Sequence, residues 1–186
     1  EGGCTAWRAT DAAGSGGRAV ASSAQGMWYG PANALDGSLH SRWSSDFPAP
    51  GGVTFAAEAE IASRAWLGVD LRAPHEVVGV DVLWEAAFAS EYAVDVSLDG
   101  RAWFEAARER RARSDGWVST ELHLGPAGAR HHDTGGQVVA QFVRVRGVRR
   151  GTAYGYSVRE VQVRGCALGW RMLPVAPRVA ALAGPL

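Results

Sequence analysis

The sequence predicts an all-β fold, an antiparallel sandwich or barrel, on three observations. Hydrophobic residues alternate with polar or small ones over several short segments, which is typical of half-buried strands. Asp-Gly and Gly-Pro dipeptides, which favour turns, bound these segments. There is no convincing amphipathic helix longer than two turns, so an antiparallel β fold is favoured. The alternating segments are 78–84, 92–98, 121–124 and 143–146.

Two stretches depart from simple alternation. Residues 104–113 mix Glu and Arg with Ala, and we interpret them as a loop with room for one helical turn. Near the end of the pattern, Val158 falls out of phase with Val161 and Val163. A slip of this kind predicts a β-bulge or a strand start near Glu160, and bulges often redirect a side chain.

Length, composition and charge narrow the function classes. The 186 residues suit one domain with an appendage, and 47% hydrophobic with 20% charged residues is typical of neither a disordered chain nor a membrane protein. Nineteen basic residues, all arginine, balance nineteen acidic ones, so the net charge is zero. Because nucleic-acid binding normally shows as a basic excess, we expect no nucleic-acid partner.

The two cysteines, Cys4 and Cys166, bracket the patterned sequence. A bridge between them would close a loop of about 160 residues and stabilise the fold by roughly 5 kcal/mol. Two buried free thiols are the alternative, but the positions at the two ends of the pattern favour the bridge. A bridge indicates an oxidising compartment, so we expect a secreted or cell-surface protein. We predict one domain over 1–166 and a Pro/Ala-rich tail over 167–186, which acts as a linker or docks to a partner.

Three segments, taken in their order and spacing, resemble the F5/8 type C (discoidin) domain and most of all its bacterial relatives among the family 32 carbohydrate-binding modules. The resemblance covers about residues 4–166. It implies an eight-stranded jelly-roll sandwich with the termini at one end and ligand loops at the other. The segments are Pro31-Ala-Asn-Ala-Leu-Asp-Gly-Ser-Leu-His-Ser-Arg-Trp43, Trp66-Leu-Gly-Val-Asp-Leu71 with the strands that follow it, and Tyr154-Gly-Tyr-Ser-Val-Arg-Glu-Val-Gln-Val-Arg-Gly-Cys166. We assign Trp43, Trp66, Trp84 and Trp103 to packing in the sandwich core.

The resemblance also implies a structural Ca²⁺ in the loop ahead of the Arg-Trp pair. Such a site needs hard oxygen ligands from a tight loop and one distant carboxylate. Ser38 stands where relatives often have a second acid, which lowers the negative charge of the site, and Ser41 stands where they often have Thr. Neither difference removes a backbone carbonyl. The alternative is a plain Asp-Gly turn with Glu160 solvated or paired with an arginine. The expected ligands are the Asn33 carbonyl, the Asp36 side chain, the Ser38 carbonyl, the Ser41 hydroxyl or carbonyl, and Glu160.

The ligand face is expected at the first long loop, where Met27, Trp28 and Tyr29 stand together between glycines. Three large side chains are costly to expose, so we expect them to contact a partner. The resemblance implies either an apolar spike or an aromatic that stacks on a sugar; the alternative is that Trp28 or Tyr29 folds back over the sandwich. A sugar site combines an aromatic platform with charged side chains. Further candidates at the rim are Glu85, Phe88, Arg150 and Tyr154.

No catalytic motif is present: the sequence lacks a G-x-S-x-G elbow and a Gly-rich phosphate loop after a strand. We therefore expect a non-catalytic extracellular module that binds a glycan or glycoprotein. One alternative is an adhesion or assembly subunit that binds proteins through its loops or the 167–186 tail. Membrane binding through Met27 and Trp28 is disfavoured because no lysine and no net positive charge surround them. An intracellular assembly role would require Cys4 and Cys166 to be free thiols.

Overall fold

A computed structural model describes residues 7–9, 17–48, 60–61, 64–110, 116–122 and 138–168. Within these ranges, nine strands pair antiparallel, and two short 3₁₀ helices follow the second strand. No helix in the described ranges is long and apolar enough to cross a membrane. The strands are β1 (Trp7–Ala9), β2 (Arg18–Ala21), β3 (Trp43–Ser44), β4 (Trp66–Trp84), β5 (Ala89–Ser97), β6 (Phe104–Glu109), β7 (Trp117–Glu121), β8 (Val139–Arg150) and β9 (Ser157–Ala167), and the helices are η1 (Met27–Tyr29) and η2 (Pro31–Ala34).

The long strand β4 belongs to both layers of the sandwich. Its first part, residues 66–70, pairs with β2 and β8, and β8 continues to β5 and β6. Its second part, residues 75–84, pairs with β9 and β7, and β9 also holds β1 and β3. The chain turns between the two parts at Arg72, which has a positive φ of 65° and donates its backbone N–H to Asp70 Oδ1 at 2.8 Å. The predicted antiparallel jelly-roll sandwich is confirmed.

The core forms between the layers from alternate residues of the central strands. Trp43 and Trp84 are buried there, as predicted. For Trp66 and Trp103 the core assignment is wrong: both are half-buried, and the Arg144 guanidinium lies 5.7 Å and 4.1 Å from their ring centres. In β4, alternation sends Leu67 inward and therefore leaves Trp66 on the outer face.

The loop expected over 104–113 is also a correction, because residues 104–109 form the edge strand β6. A register shift opposite Val94 and Asp95 places both Ala106 and Ala107 against the core, which breaks the alternation that a strand would show. Ion pairs of Arg108 cover the outer side, with Glu105 at 2.6 Å and with the neighbouring strand's Glu91 at 3.1 Å. Strand pairing overrides the helical preference of Glu, Arg and Ala here.

The slip predicted near Glu160 is confirmed. Along β9 the register passes from Leu83↔Glu160 to Trp84↔Val158, so Arg159 is the extra residue of a bulge. Beyond this bulge β9 continues to Ala167, where it lies against the bend of β4. Apart from Ala167 and Leu168, the predicted tail lies outside the described residues.

Candidate functional site

Three loops converge at one end of the sandwich: the first loop, the loop after β4 and the loop 151–155. Backbone hydrogen bonds fix them to the strands. The first loop, 22–42, is fixed to β3 by the Gln25 N–H, which donates to the Ser44 carbonyl at 2.9 Å. The loop after β4 is fixed to β9 in the same way, since Glu85 N–H donates to the Ser157 carbonyl at 2.9 Å. These bonds build a rigid frame from segments that are distant in sequence.

An open cleft of about 530 Å³ lies between these loops. Buried hydroxyls form its floor: Ser44 Oγ and Ser157 Oγ are 2.8 Å apart, and Ser45 Oγ accepts the Tyr156 N–H at 2.9 Å. Polar and aromatic side chains form its walls. Those wall residues are Gln25, Arg42, Phe47, Glu85 and Tyr154.

Of the residues predicted to bind a ligand, Glu85 and Tyr154 line the cleft. Tyr154 is 61% exposed, and Glu85 Oε2 accepts the Ala87 N–H at 3.2 Å, which holds the carboxylate at the wall. Trp28 and its neighbour Met27 are 80% and 84% exposed on η1. They project from the first loop, which also carries the cleft residue Gln25.

Tyr29 differs from its two neighbours because it turns toward the protein. The Arg42 guanidinium lies 4.5 Å from the centre of the Tyr29 ring, and the ring is half-buried. Of the two aromatics that could have folded back, only Tyr29 does so, and Trp28 remains available for contact.

Phe88 and Arg150 do not line the cleft but support the loop 151–155, which forms one of its sides. Phe88 packs against Gly151 so closely that a Cβ there would lie 2.4 Å from its ring. Arg150 lies 4.6 Å from the Phe47 ring centre and donates to the carbonyls of Ala153 and Tyr154 at 2.8 Å and 3.4 Å. Their contacts fix the backbone of the loop that carries Tyr154.

Sequence reasoning missed Arg42 and the serine floor of the cleft. The segment Arg42-Trp43-Ser44-Ser45 carried part of the family resemblance, and only Trp43 was given a position, in the core. Alternation along β3 was the available signal: a buried Trp43 predicts that Arg42 points the other way. Nothing in the sequence indicates that Ser44 meets Ser157, since the two are 113 residues apart.

The predicted cation loop, Asp36–Ser41, is a tight turn closed by Asp36. Oδ1 of Asp36 accepts the Ser38 N–H at 2.8 Å, and Oδ2 accepts the Ser41 hydroxyl at 2.7 Å. The Ser38 carbonyl oxygen lies 3.2 Å from Ser41 Oγ and competes for the same hydroxyl proton. Gly37 has a φ of 75°, the left-handed conformation that such a turn requires.

Glu160 reaches this loop from β9 and is 3% exposed. Burial is the main reason that its pKa is raised to about 7; the nearby Asp36 carboxylate raises it further, and backbone N–H donors of Gly37 and Ser38 oppose the shift. Oε1 of Glu160 is buried with no hydrogen-bond partner among the described residues. This buried oxygen without a partner, next to a second carboxylate, fits a bound hard cation. The cation would pair with both carboxylates, whereas two carboxylates alone repel each other.

The remaining predicted ligands would be supplied mainly by the backbone. Among the described residues, no cluster of three or more His, Cys, Asp or Glu side chains could hold a metal ion. The Asn33 side chain is already committed, because Nδ2 donates to the Trp28 and Arg42 carbonyls. The backbone carbonyls of Asn33, Ser38 and Ser41 would therefore complete the set of oxygen ligands, as Ca²⁺ chemistry allows.

The predicted disulfide stays a prediction, because Cys4 lies outside the described residues. Cys166 lies in β9, and β1 pairs with this strand through Trp7↔Gly165. The chain thus runs beside Cys166 three residues after Cys4.

The F5/8 type C domain family matches residues 18–161, which is most of the chain. No curated protein matches the sequence. Among solved structures, a selenomethionine-labelled mutant of chitosan-binding module 1, from a chitosanase/glucanase of Paenibacillus sp. IK-5, is 30% identical. It aligns with 80% of this chain and 93% of its own, with a TM-score of 0.60.

Two further solved structures have the same fold. Chitosan-binding module 2 of the Paenibacillus enzyme, in complex with chitotriose, is 24% identical over 78% of this chain and 94% of its own (TM-score 0.59). The family 32 module of NanJ from C. perfringens, in complex with galactose, is 14% identical over 80% and 93% (TM-score 0.58). These neighbours are non-catalytic binding modules, which confirms the prediction that the chain is not an enzyme. The chain belongs to the F5/8 type C domain family.

Proposed function

We propose that this domain is an extracellular, non-catalytic module that binds a glycan, free or on a glycoprotein, in the cleft at the loop end. The cleft itself carries the proposal: it combines an exposed aromatic ring, Tyr154, with the charged side chains of Arg42 and Glu85. An aromatic face binds the apolar side of a pyranose, and charged groups bind its hydroxyls. Trp28 extends this surface beyond the cleft.

The first ligand class to test is an oligomer of glucosamine. Two of the similar modules are named for chitosan, and one of them is in complex with chitotriose. Glu85 adds a chemical reason, because a carboxylate at the wall can pair with the ammonium group of a glucosamine unit. Galactose, bound by the NanJ module, is the matched neutral comparison.

The test is a calorimetric titration of the purified domain with glucosamine oligomers and with galactose. We expect Tyr154→Ala to weaken binding about tenfold, because a stacking platform is worth more than about 1 kcal/mol. Trp28→Ala should reduce binding of longer oligomers more than that of short ones. Glu85→Gln should weaken glucosamine binding more than galactose binding. Trp117→Ala is the control, since Trp117 is 44% exposed on β7 and does not line the cleft.

A folded domain that binds neither oligosaccharide would contradict this ligand class, and a glycan array would then test other sugars. No hit on the array would rule out simple glycan binding. Equal losses for Trp117→Ala and Tyr154→Ala would show that the variants act through stability and not through the cleft.

We propose further that the Asp36–Ser41 loop holds a structural Ca²⁺, with Asp36, Glu160 and the carbonyls of Asn33, Ser38 and Ser41 as ligands. The orphaned Glu160 oxygen supports this site. When bound, the ion supplies positive charge that offsets the two carboxylates and fixes the loop. It has no chemical role.

A disulfide between Cys4 and Cys166 is the third part of the proposal, and it supports the extracellular location. The antiparallel pairing of β1 with β9 is its structural basis. Intact mass measured with and without a thiol-alkylating reagent tests it: a native chain that gains two alkyl groups has free thiols and no bridge.

A further inference from the structure

The cation loop and the glycan cleft meet at the base of the loop, where Asn33 and Arg42 lie together. We call this base the neck. Asn33 precedes the Asp36–Ser41 loop and Arg42 follows it, and Asn33 Nδ2 donates to the Arg42 carbonyl at 2.9 Å. The same amide nitrogen donates to the Trp28 carbonyl at 2.8 Å. One side chain therefore closes the loop at its base and fixes the end of η1.

Both carbonyls at this neck belong to residues that face the ligand surface. Arg42 lines the cleft; its guanidinium stacks on Tyr29 at 4.5 Å, and its Nε donates to Ser44 Oγ at 3.3 Å. Trp28 is the exposed aromatic of η1. A shift of Asn33 would consequently move the backbone of two residues at the proposed glycan site.

The far side of the loop is anchored to the sandwich. Arg159 Nη1 donates to the Leu39 carbonyl at 2.5 Å, and the Glu160 carboxyl lies close to the backbone of Gly37 and Ser38. Anchored there, the loop can move chiefly at its neck. A cation bound between Asp36 and Glu160 would draw the loop together and tighten the neck.

We propose that Asn33 is a positioning residue that couples the cation loop to the glycan cleft, by holding Trp28 and Arg42 in place when the cation is bound. This inference rests on the proposed function. Linkage requires the effect to be reciprocal: the cation raises glycan affinity, and glycan raises cation affinity by the same factor. We expect a factor of about 5 to 20, within the range usual for coupled sites.

The first test needs no glycan. The indole N–H resonance of Trp28, assigned by its loss in Trp28→Phe, is followed by NMR while Ca²⁺ is added. It should shift with the calcium-binding curve in the wild type and in Leu39→Ala, which changes an exposed side chain of the same loop. In Asn33→Ala, which keeps the backbone carbonyl, calcium binding is measured in parallel by calorimetry, and the Trp28 resonance should no longer follow the binding curve.

The second test is a binding cycle: glucosamine-oligomer affinity with calcium and with chelator, in wild type, Leu39→Ala and Asn33→Ala. The factor of about 5 to 20 should disappear only in Asn33→Ala. A merely structural role for Asn33 would instead lower calcium affinity and glycan affinity together, which overturns the proposal. So would full coupling in Asn33→Ala, or a Trp28 resonance that ignores calcium in the wild type. Absence of glycan binding alone contradicts the proposed function, and the Trp28 titration still decides the inference.

Discussion

Trp84 and Trp28 carry the same indole side chain but lie in two different regions of the domain, the body of the sandwich and its loop end. Trp84 is 2% exposed, with its ring centre 5.5 Å from that of Tyr92 and 6.2 Å from that of Tyr156. Trp28 is 80% exposed on a one-turn helix that follows Gly26, whose φ is 74°. The body of the sandwich uses aromatic area to stabilise the fold, whereas the loop end leaves it free for a partner. Stability and recognition should therefore be separable by substitution.

The largest expected effect is in the body. Trp84→Ala should lower the free energy of unfolding by about 3–5 kcal/mol, because it removes a buried ring and leaves a cavity. Trp28→Ala should change it by less than about 0.5 kcal/mol. Urea denaturation followed by circular dichroism measures both. A loss of several kcal/mol in Trp28→Ala would mean that Trp28 packs on the domain, and the division between body and loop end would fail.

Two buried carboxylates extend the comparison, each of them 3% exposed. In the body, Asp95 accepts from Arg144 at 2.9 Å and from Arg146 at 2.8 Å. At the loop end, Glu160 faces the Asp36 carboxylate instead. Asp95 is compensated by protein cations, whereas at Glu160 the proposed metal ion would supply the matching positive charge.

The effect of Glu160→Gln on the free energy of unfolding should therefore change sign when calcium is added. At a calcium concentration about 100-fold above the dissociation constant, the wild type gains about 2.7 kcal/mol that the variant lacks. In chelator and above pH 7, where Glu160 is ionised, the variant should be more stable than wild type by about 1 kcal/mol, because like charges no longer face each other. Asp95→Asn, the control, should lose about 2 kcal/mol in both conditions. Thermal unfolding measures all four values, and a Glu160→Gln effect independent of calcium would argue against the cation site.

The sequence predicted the body better than the edges. Alternation over 78–84 and 92–98 located β4 and β5, because burial on one face imposes a period of two. It failed for β6, where a register shift and an ionic outer face hide the period. The core assignment of Trp66 and Trp103 failed for another reason: a large aromatic residue predicts burial, but here both rings cover the Arg144 side chain on the outer face.

At the loop end, local chemistry was predictable and long-range contacts were not. The family resemblance implied a cation loop at the Asp-Gly turn, and the slip near Glu160 predicted a redirected carboxylate; the structure brings Asp36 and Glu160 together, and the cation itself stays a prediction. The cleft floor depends on Ser44 and Ser157 meeting through strand pairing, which no local pattern encodes. Arg150 was expected to bind a ligand, but its guanidinium donates to carbonyls of the 151–155 loop and stabilises that loop.

Two buried tyrosines that flank Trp84 give the smallest expected effects. Tyr92 Oη lies 2.7 Å from Thr120 Oγ1, a bond between the two layers, whereas Tyr156 Oη has no partner among the described residues. At pH 7, Tyr92→Phe should lose about 1 kcal/mol. Tyr156→Phe should be neutral or slightly stabilising, because it removes an unpaired buried hydroxyl. Urea denaturation distinguishes them, and a cost in Tyr156→Phe equal to that in Tyr92→Phe would indicate a buried water on Tyr156.

The two tyrosines should behave alike at high pH, where their difference in hydrogen bonding matters less than their shared burial. Burial raises the pKa of Tyr92 and of Tyr156 to about 12, above the usual value of 10. Since the unfolded chain releases these protons first, the stabilising contribution is complete below pH 10 and is lost as the pH rises to about 12. Each Phe variant should therefore show a shallower fall in stability over this range than wild type. Tyrosinate absorbance at 295 nm, compared between the folded wild type and each Phe variant, checks the same shift; a difference that titrates at the ordinary pKa would show that water reaches the core beside Trp84.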